Sequence, residues 1–245
     1  MTKDIFFIHI PKTGGMSLTN LFNIKLNINF GYYYYIKNKE YSGDSKSLEL
    51  LDKNYLFLYN KITKWHIPFS FFNKKYQNEL LNKFKLFTIV RNPYDRIISI
   101  YGYGIKIYNN NKNKSLKQLR EIYNNSFEIN PKKLNEFINT ILGNDKYKYS
   151  LDGHIIPMYK HSHINIDNKL TLICEILKYE NLNNDFNEFI ENNNINLPKD
   201  SLLKVHLNKS GIELTRKHLD NKSIKLIQEY YKKDFELFGY DINNY

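Results

Sequence analysis

Three stretches of this chain carry side chains whose types and spacing suit chemistry on an anion. The first is Pro11-Lys12-Thr13-Gly14-Gly15-Met16-Ser17, which gathers a lysine, two hydroxyls and two adjacent glycines into seven residues. Glycines let the backbone turn tightly, and N–H groups at a following helix start point at an anion, whose charge the helix dipole favours. The second is Arg91-Asn92-Pro93-Tyr94-Asp95-Arg96-Ile97-Ile98-Ser99, with Arg91 and Ser99 eight positions apart. A guanidinium fork donates two parallel hydrogen bonds to phosphate oxygens. The third is His66, followed by Ile67-Pro68. Histidine titrates near neutrality and so can take a proton from a hydroxyl.

These residues need elements to hold them. Ile5 to Ile10 has five apolar residues out of six and reads as a buried strand, stopped by Pro11, with helical character resuming from Ser17 to Phe22. Leu86 to Val90 reads as a second strand running into Arg91, and Pro93 falls at a favoured helix start, with Ile97, Ile98 and Tyr101 forming a packed stripe. Leu56 to Tyr59 is expected to be a short strand, and Leu170 to Ile176 a third apolar strand containing the single cysteine, Cys174. That cysteine reads as core rather than nucleophile, and one cysteine excludes an internal disulfide. Asn27 to Lys46, with its run Tyr32 to Tyr35, and Tyr108 to Lys114 read as a partly buried strand or loop and an exposed loop. Helical spacing recurs at Leu116, Leu119, Ile122 and Tyr123, and at Leu134, Phe137, Ile138, Ile141 and Leu142, ended by Gly143. Ile224, Ile227, Tyr231 and Phe235 lie on one further helical face.

The order of residues narrows the chemistry. A nucleoside-triphosphate loop has its lysine after the glycines, whereas Lys12 precedes Gly14-Gly15, so an ATPase or GTPase reading fails. His9-Ile10-Pro11-Lys12-Thr13-Gly14-Gly15-Met16-Ser17 instead resembles the 5′-phosphosulfate loop of carbohydrate sulfotransferases of the heparan sulfate 2-O/6-O and chondroitin types, with their bacterial and viral relatives. That family usually has Thr or Ser where Met16 stands. Arg91 to Ser99 resembles its 3′-phosphate motif, R-[ND]-P-x-x-R-x-x-S. Weaker likenesses follow in the family's order: Asp152 to Tyr159, with Met158 where glutamine is usual; Tyr179-Glu180-Asn181-Leu182; Val205 to Gly211; and Tyr230 to Tyr240.

The resemblance implies an α/β fold, a three-layer α/β/α arrangement with a mostly parallel central sheet of the P-loop-like sulfotransferase kind, in a single domain over 1–245. It implies 3′-phosphoadenosine 5′-phosphosulfate (PAPS) as sulfuryl donor, the bisphosphate PAP as product, and no metal. Lys12, Thr13, Gly14, Gly15, Met16 and Ser17 would surround the phosphosulfate, Arg91 and Ser99 the 3′-phosphate, and Lys209 and Ser210 would reach the same phosphate. Lys12 and His66 would be the catalytic pair, with His66 the base. Arg96 is expected either to pair with Asp95 or to brace the loop. The implied acceptor is a hydroxyl on a glycan. A small metabolite or a tyrosine side chain would use the same donor site, and a relative that binds the nucleotide without turning it over keeps the same motifs.

Composition bounds these readings. At 245 residues with 42% hydrophobic content the chain can bury a sizeable core. It has no signal-type leader and no run long enough to span a bilayer, so a cytoplasmic protein without membrane attachment is expected. The formal net charge of +11 suits a bisphosphorylated nucleotide or an acidic glycan. Nucleic acid would suit it too, but no helix-turn-helix, zinc-finger or RNA-sheet pattern accompanies the charge. His154, His161 and His163 have a loose metal-like spacing without a carboxylate or cysteine at a convincing ligand position.

Overall fold

Two parallel apolar strands, in register from Asp4 opposite Phe84 to Ile8 opposite Thr88, set the frame of the structure. The computed structural model describes residues 4–25, 50–58, 61–63, 66–111, 117–204 and 213–244. In chain order its elements begin with β1 (Asp4–Ile8), α1 (Gly15–Lys25), α2 (Lys74–Lys83), β2 (Phe84–Val90), α3 (Pro93–Asn110), α4 (Lys117–Ile122) and α5 (Pro131–Leu142). There follow α6 (Tyr159–Ser162), β3 (His163–Ile166), β4 (Lys169–Leu172), β5 (Glu175–Lys178), α7 (Leu182–Asn192), α8 (Asn221–Tyr230) and α9 (Lys232–Phe238). The chain divides into two compact units, Met1–Val90 with Met158–Leu207, and Arg91–Pro157 with Asn208–Tyr245.

The first unit holds a parallel sheet in the order β1-β2-β5 and an antiparallel pair, β3-β4, among the described residues. Phe7, Phe87, Ile89 and Leu177 pack against Leu18 and Leu21 of α1 and Phe186, Phe189 and Ile190 of α7. The alternate residues Phe6, Ile8, Leu86, Thr88 and Val90 are buried as well, and α2 lies against β2. Burial on both faces explains why these strands read as continuous apolar runs instead of alternating ones. The buried Thr88 hydroxyl donates to the Ile8 carbonyl at 2.7 Å, tying β2 to the end of β1.

Two expectations are corrected here. Lys53–Leu58 is a 3-10 helix, not the strand expected over Leu56 to Tyr59; Asp52 Oδ1 accepts the Asn54 N–H at 2.9 Å, and that local bond offers the backbone a turn. Tyr59 lies outside the described residues. The run Leu170 to Ile176 is split between β4, which pairs with β3, and β5, which joins the parallel sheet. The break falls at Ile173, whose N–H donates to the Ser162 carbonyl at 3.0 Å. An unbroken apolar sequence carries no sign of such a tertiary peg. Cys174 is buried, as expected, and burial pushes its thiol well up, away from reactivity.

The second unit is helical around a core of Tyr94, Ile97 and Tyr101 from α3, Leu134, Phe137 and Ile138 from α5, and Ile224, Ile227 and Phe235 from the C-terminal helices. Side-chain caps start three of its helices: Asn92, Asn130 and Asp220 each accept a backbone N–H from the first turn. The buried Asn135 joins two of them, donating to the His218 carbonyl at 2.8 Å and accepting the Asp220 N–H at 3.0 Å. The expected face from Ile224 to Phe235 is real but bends at Tyr231, between α8 and α9. Helix α3 runs to Asn110, beyond the loop expected from Tyr108, because the Tyr108 ring stacks on Phe127. No described helix is long and apolar enough to cross a membrane.

Candidate active site

In the first unit, β1 delivers the chain to a turn at Pro11–Gly14, and α1 begins at Gly15. Lys12 adopts a left-handed φ of 67° and Gly14 one of 92°. The Thr13 hydroxyl, fully buried, donates to the Ile10 carbonyl at 2.8 Å and so pins the turn, while the Ser17 N–H donates to the Gly14 carbonyl at 3.0 Å. Two crowded approaches explain the glycine pair. A Cβ on Gly14 would lie 2.9 Å from the Tyr179 ring, and one on Gly15 would lie 2.7 Å from His9 Nδ1. The first N–H groups of α1 have no partner within the helix, and no acidic residue occupies its first turn. Met16 is 51% exposed, so its side chain takes no part in core packing. This is a cradle that a Cβ would fill and that suits a phosphate or sulfate oxygen.

His66 follows Thr63, whose carbonyl accepts its N–H at 2.8 Å. Its ring is buried and stacks on that of His9, with centroids 5.5 Å apart and planes tilted by 24°. His9 also meets Phe7 edge-on at 5.9 Å. Burial first, then the charges of His66 and Lys12, lowers the His9 pKa to about 3, so this ring is neutral at physiological pH. Lys12, Thr13, Gly14, Gly15, Met16, Ser17 and His66 are therefore all in the first unit, with the first six in one turn and helix start.

In the second unit, Arg91 is half-buried just before the Asn92 cap, and Ser99 is buried two turns into α3. Arg96 resolves toward bracing. Only 1% exposed, it donates to the carbonyls of His154 at 2.6 Å and Ile156 at 3.1 Å, and its guanidinium lies 5.9 Å from the Tyr231 ring. Burial lowers its pKa while Tyr231 and the buried Asp234 act to raise it. Asp95 takes a different partner, Arg216, in a two-pronged ion pair whose Nε–Oδ1 arm is 2.8 Å. His154 bonds the Leu151 carbonyl through Nδ1, whereas His163, in the first unit, meets the Ser162 hydroxyl at 2.9 Å through Nδ1. Lys209 and Ser210 lie outside the described residues, as do Trp65 and the tyrosine run near residue 33.

The model of the Sulfotransferase family matches residues 1–241. The chain belongs to the sulfotransferase family. No curated protein and no solved structure matches it. In this sulfotransferase the described elements form an α/β fold with a parallel three-stranded sheet, as the motif order implied. Two residues of the cradle were named in the sequence only as members of motifs, without a role of their own. His9 and Tyr179 matter through their contacts with Gly15 and Gly14, and Tyr179 is 165 positions from its glycine. The usable signal was local: each stands at the end of a strand, where α/β sheets place their ligand loops.

Proposed function

We propose that this sulfotransferase takes its sulfuryl group from PAPS and delivers it to a hydroxyl, with glycan hydroxyls favoured by the motif resemblance, and that residues 1–245 act as one catalytic domain. The observation that carries the reading is the cradle itself: a lysine and two sterically obligatory glycines at the start of an eleven-residue helix with no carboxylate in its first turn. When bound, the nucleotide supplies an activated sulfuryl group. The Lys12 ammonium and the first N–H groups of α1 hold its phosphosulfate oxygens and stabilise the charge that builds on them. Thr13 shapes the turn through its bond to Ile10, while Ser17 lies within the same helix start. Arg91 and Ser99 hold the 3′-phosphate, aided by Lys209 and Ser210, and no metal takes part. His66 takes the acceptor proton on an imidazole nitrogen, and His9 supports its ring from one face.

The test separates holding from chemistry. His66→Ala should keep PAP affinity within about threefold and cut turnover of labelled sulfate by roughly 100-fold or more. Arg91→Ala should weaken PAP and slow turnover together, because binding energy at a remote phosphate also orients the reacting end. Wild-type turnover in His66→Ala removes the base assignment, and absence of calorimetric heat with PAP in the wild type removes the donor assignment.

A further inference from the structure

Three successive backbone carbonyls in the second unit are held by two buried side chains. Arg96 donates to the carbonyls of His154 at 2.6 Å and Ile156 at 3.1 Å, and the Tyr231 hydroxyl donates to the Ile155 carbonyl at 2.9 Å. We propose that Arg96 is a positioning residue, through which a phosphate held by Arg91 and Ser99 tightens the strained turn at 151–156. This rests on the assignment of Arg91 and Ser99 to the 3′-phosphate and extends it, because it gives that phosphate a task besides anchoring the nucleotide.

The turn has strain to release. Leu151, Asp152 and Gly153 take successive left-handed φ values of 51°, 57° and 75°. Such backbone is unfavourable for leucine and persists only where surroundings enforce it. Within the turn, the His154 N–H donates to the Leu151 carbonyl and the Ile156 N–H to the Gly153 carbonyl, each at 3.1 Å. From outside, Arg96 and Tyr231 enforce it, and both are buried, so water does not compete for their bonds. A guanidinium suits this position because its rigid planar fork reaches two carbonyls at once.

Helix spacing links this clamp to the phosphate residues. Arg96, Ser99 and Tyr103 follow one another at intervals of three and four, so they share one face of α3. The outer two both grip the turn, Arg96 by its hydrogen bonds and Tyr103 by stacking on the His154 ring with centroids 5.1 Å apart. Ser99 lies between them, so a phosphate bound there fixes the stretch of α3 that joins the two grips. Charge acts in the same direction. Arg91 opposes the charge on Arg96, while the buried Asp234 supports it. An anion placed on Arg91 offsets that repulsion, and a desolvated guanidinium feels the change strongly, which strengthens its charge-assisted bonds to both carbonyls. Tyr231 lies outside α3, between α8 and α9, so its bond to Ile155 supports the turn without relaying the phosphate.

Hydrogen exchange of the full chain, followed by mass spectrometry on the peptide covering residues 150–157 with and without saturating PAP, measures how often the turn opens. In wild type, PAP should slow exchange at the His154 and Ile156 amides by about tenfold or more. Arg96→Lys keeps a cation without the planar fork, and it should cut that slowing to under about twofold while PAP still binds. Tyr231→Phe removes only the hydroxyl, and it should speed exchange equally with and without PAP, so that the ratio between the two conditions survives. A purely structural Arg96 predicts instead that both variants behave alike. Arg91→Ala, saturated with PAP at higher concentration, repeats the test if Arg96→Lys fails to fold, and the slowing should again be lost. The inference is overturned if PAP gives calorimetric heat with wild type and leaves exchange unchanged, if Arg96→Lys keeps the same ratio as Tyr231→Phe, or if Arg91→Ala retains the full slowing. Absence of heat with PAP overturns the donor assignment and this inference together.

Discussion

His9 shows how one side chain can shape a turn from beside it, through its stacking on His66 and its close approach to Gly15. Its neutrality comes from burial first and then from the electrostatic influence of His66 and Lys12 beside it. An unfolded histidine takes its proton near pH 6.5, whereas this one does so only near 3. The stability linked to it is therefore complete above 6.5 and declines as pH falls through that window, since the unfolded chain binds the extra proton. His9→Gln should remove this acid sensitivity. Thermal midpoints taken at several values between pH 7.5 and 4 should show wild type and variant converging as pH drops, and parallel curves would refute the linkage. The turn through Lys12, Gly14 and Gly15 was legible in the sequence because its geometry is local. His9 and Arg96 were not resolved there, since their roles depend on neighbours such as Gly15 and the His154 carbonyl that spacing does not encode.

Elements decide whether those residues stay in place. Gly14 is constrained twice, by a positive φ and by the Tyr179 ring at the end of β5. Gly14→Ala should lower PAP affinity by about tenfold or more, and Tyr179→Ala in the same chain should restore only part of the loss, because the ring clash is relieved and the backbone strain is not. Full restoration would mean that contact alone made glycine necessary. At α3, Asn92 accepts the Tyr94 N–H at 3.0 Å, and Asn92→Ala should cost about 1 kcal/mol in denaturant unfolding. The start of α3 was readable from Pro93 and its apolar stripe. Its end was not, because polar Asn109 and Asn110 continue the helix for the sake of Tyr108 stacking on Phe127. The split between β4 and β5 was hidden for a similar reason: both halves are apolar, and only the Ser162 carbonyl marks the division.

Across the whole molecule, the charge of +11 predicts a salt response for a bound polyanion. PAP affinity should fall steadily as salt rises from about 50 to 500 mM, because screening weakens the attraction between the basic chain and the bisphosphate. Affinity indifferent to salt over that range, read by calorimetry, would refute the electrostatic part of the donor assignment. The class of fold could be anticipated from the alternation of apolar strands and helical stripes, but the division into two units could not. Nothing in the composition announces that the chain leaves the first unit after Val90 and returns at Met158. That excursion has a cost during synthesis. Strand β2 pairs with β5 only when Val90 meets Lys178, so a nascent polypeptide must carry an unfinished sheet while nearly ninety further residues emerge. Until then the ladder side of Phe87 to Val90 is open to any neighbouring chain, and a ribosome stalled before Glu175 would release a product prone to aggregate.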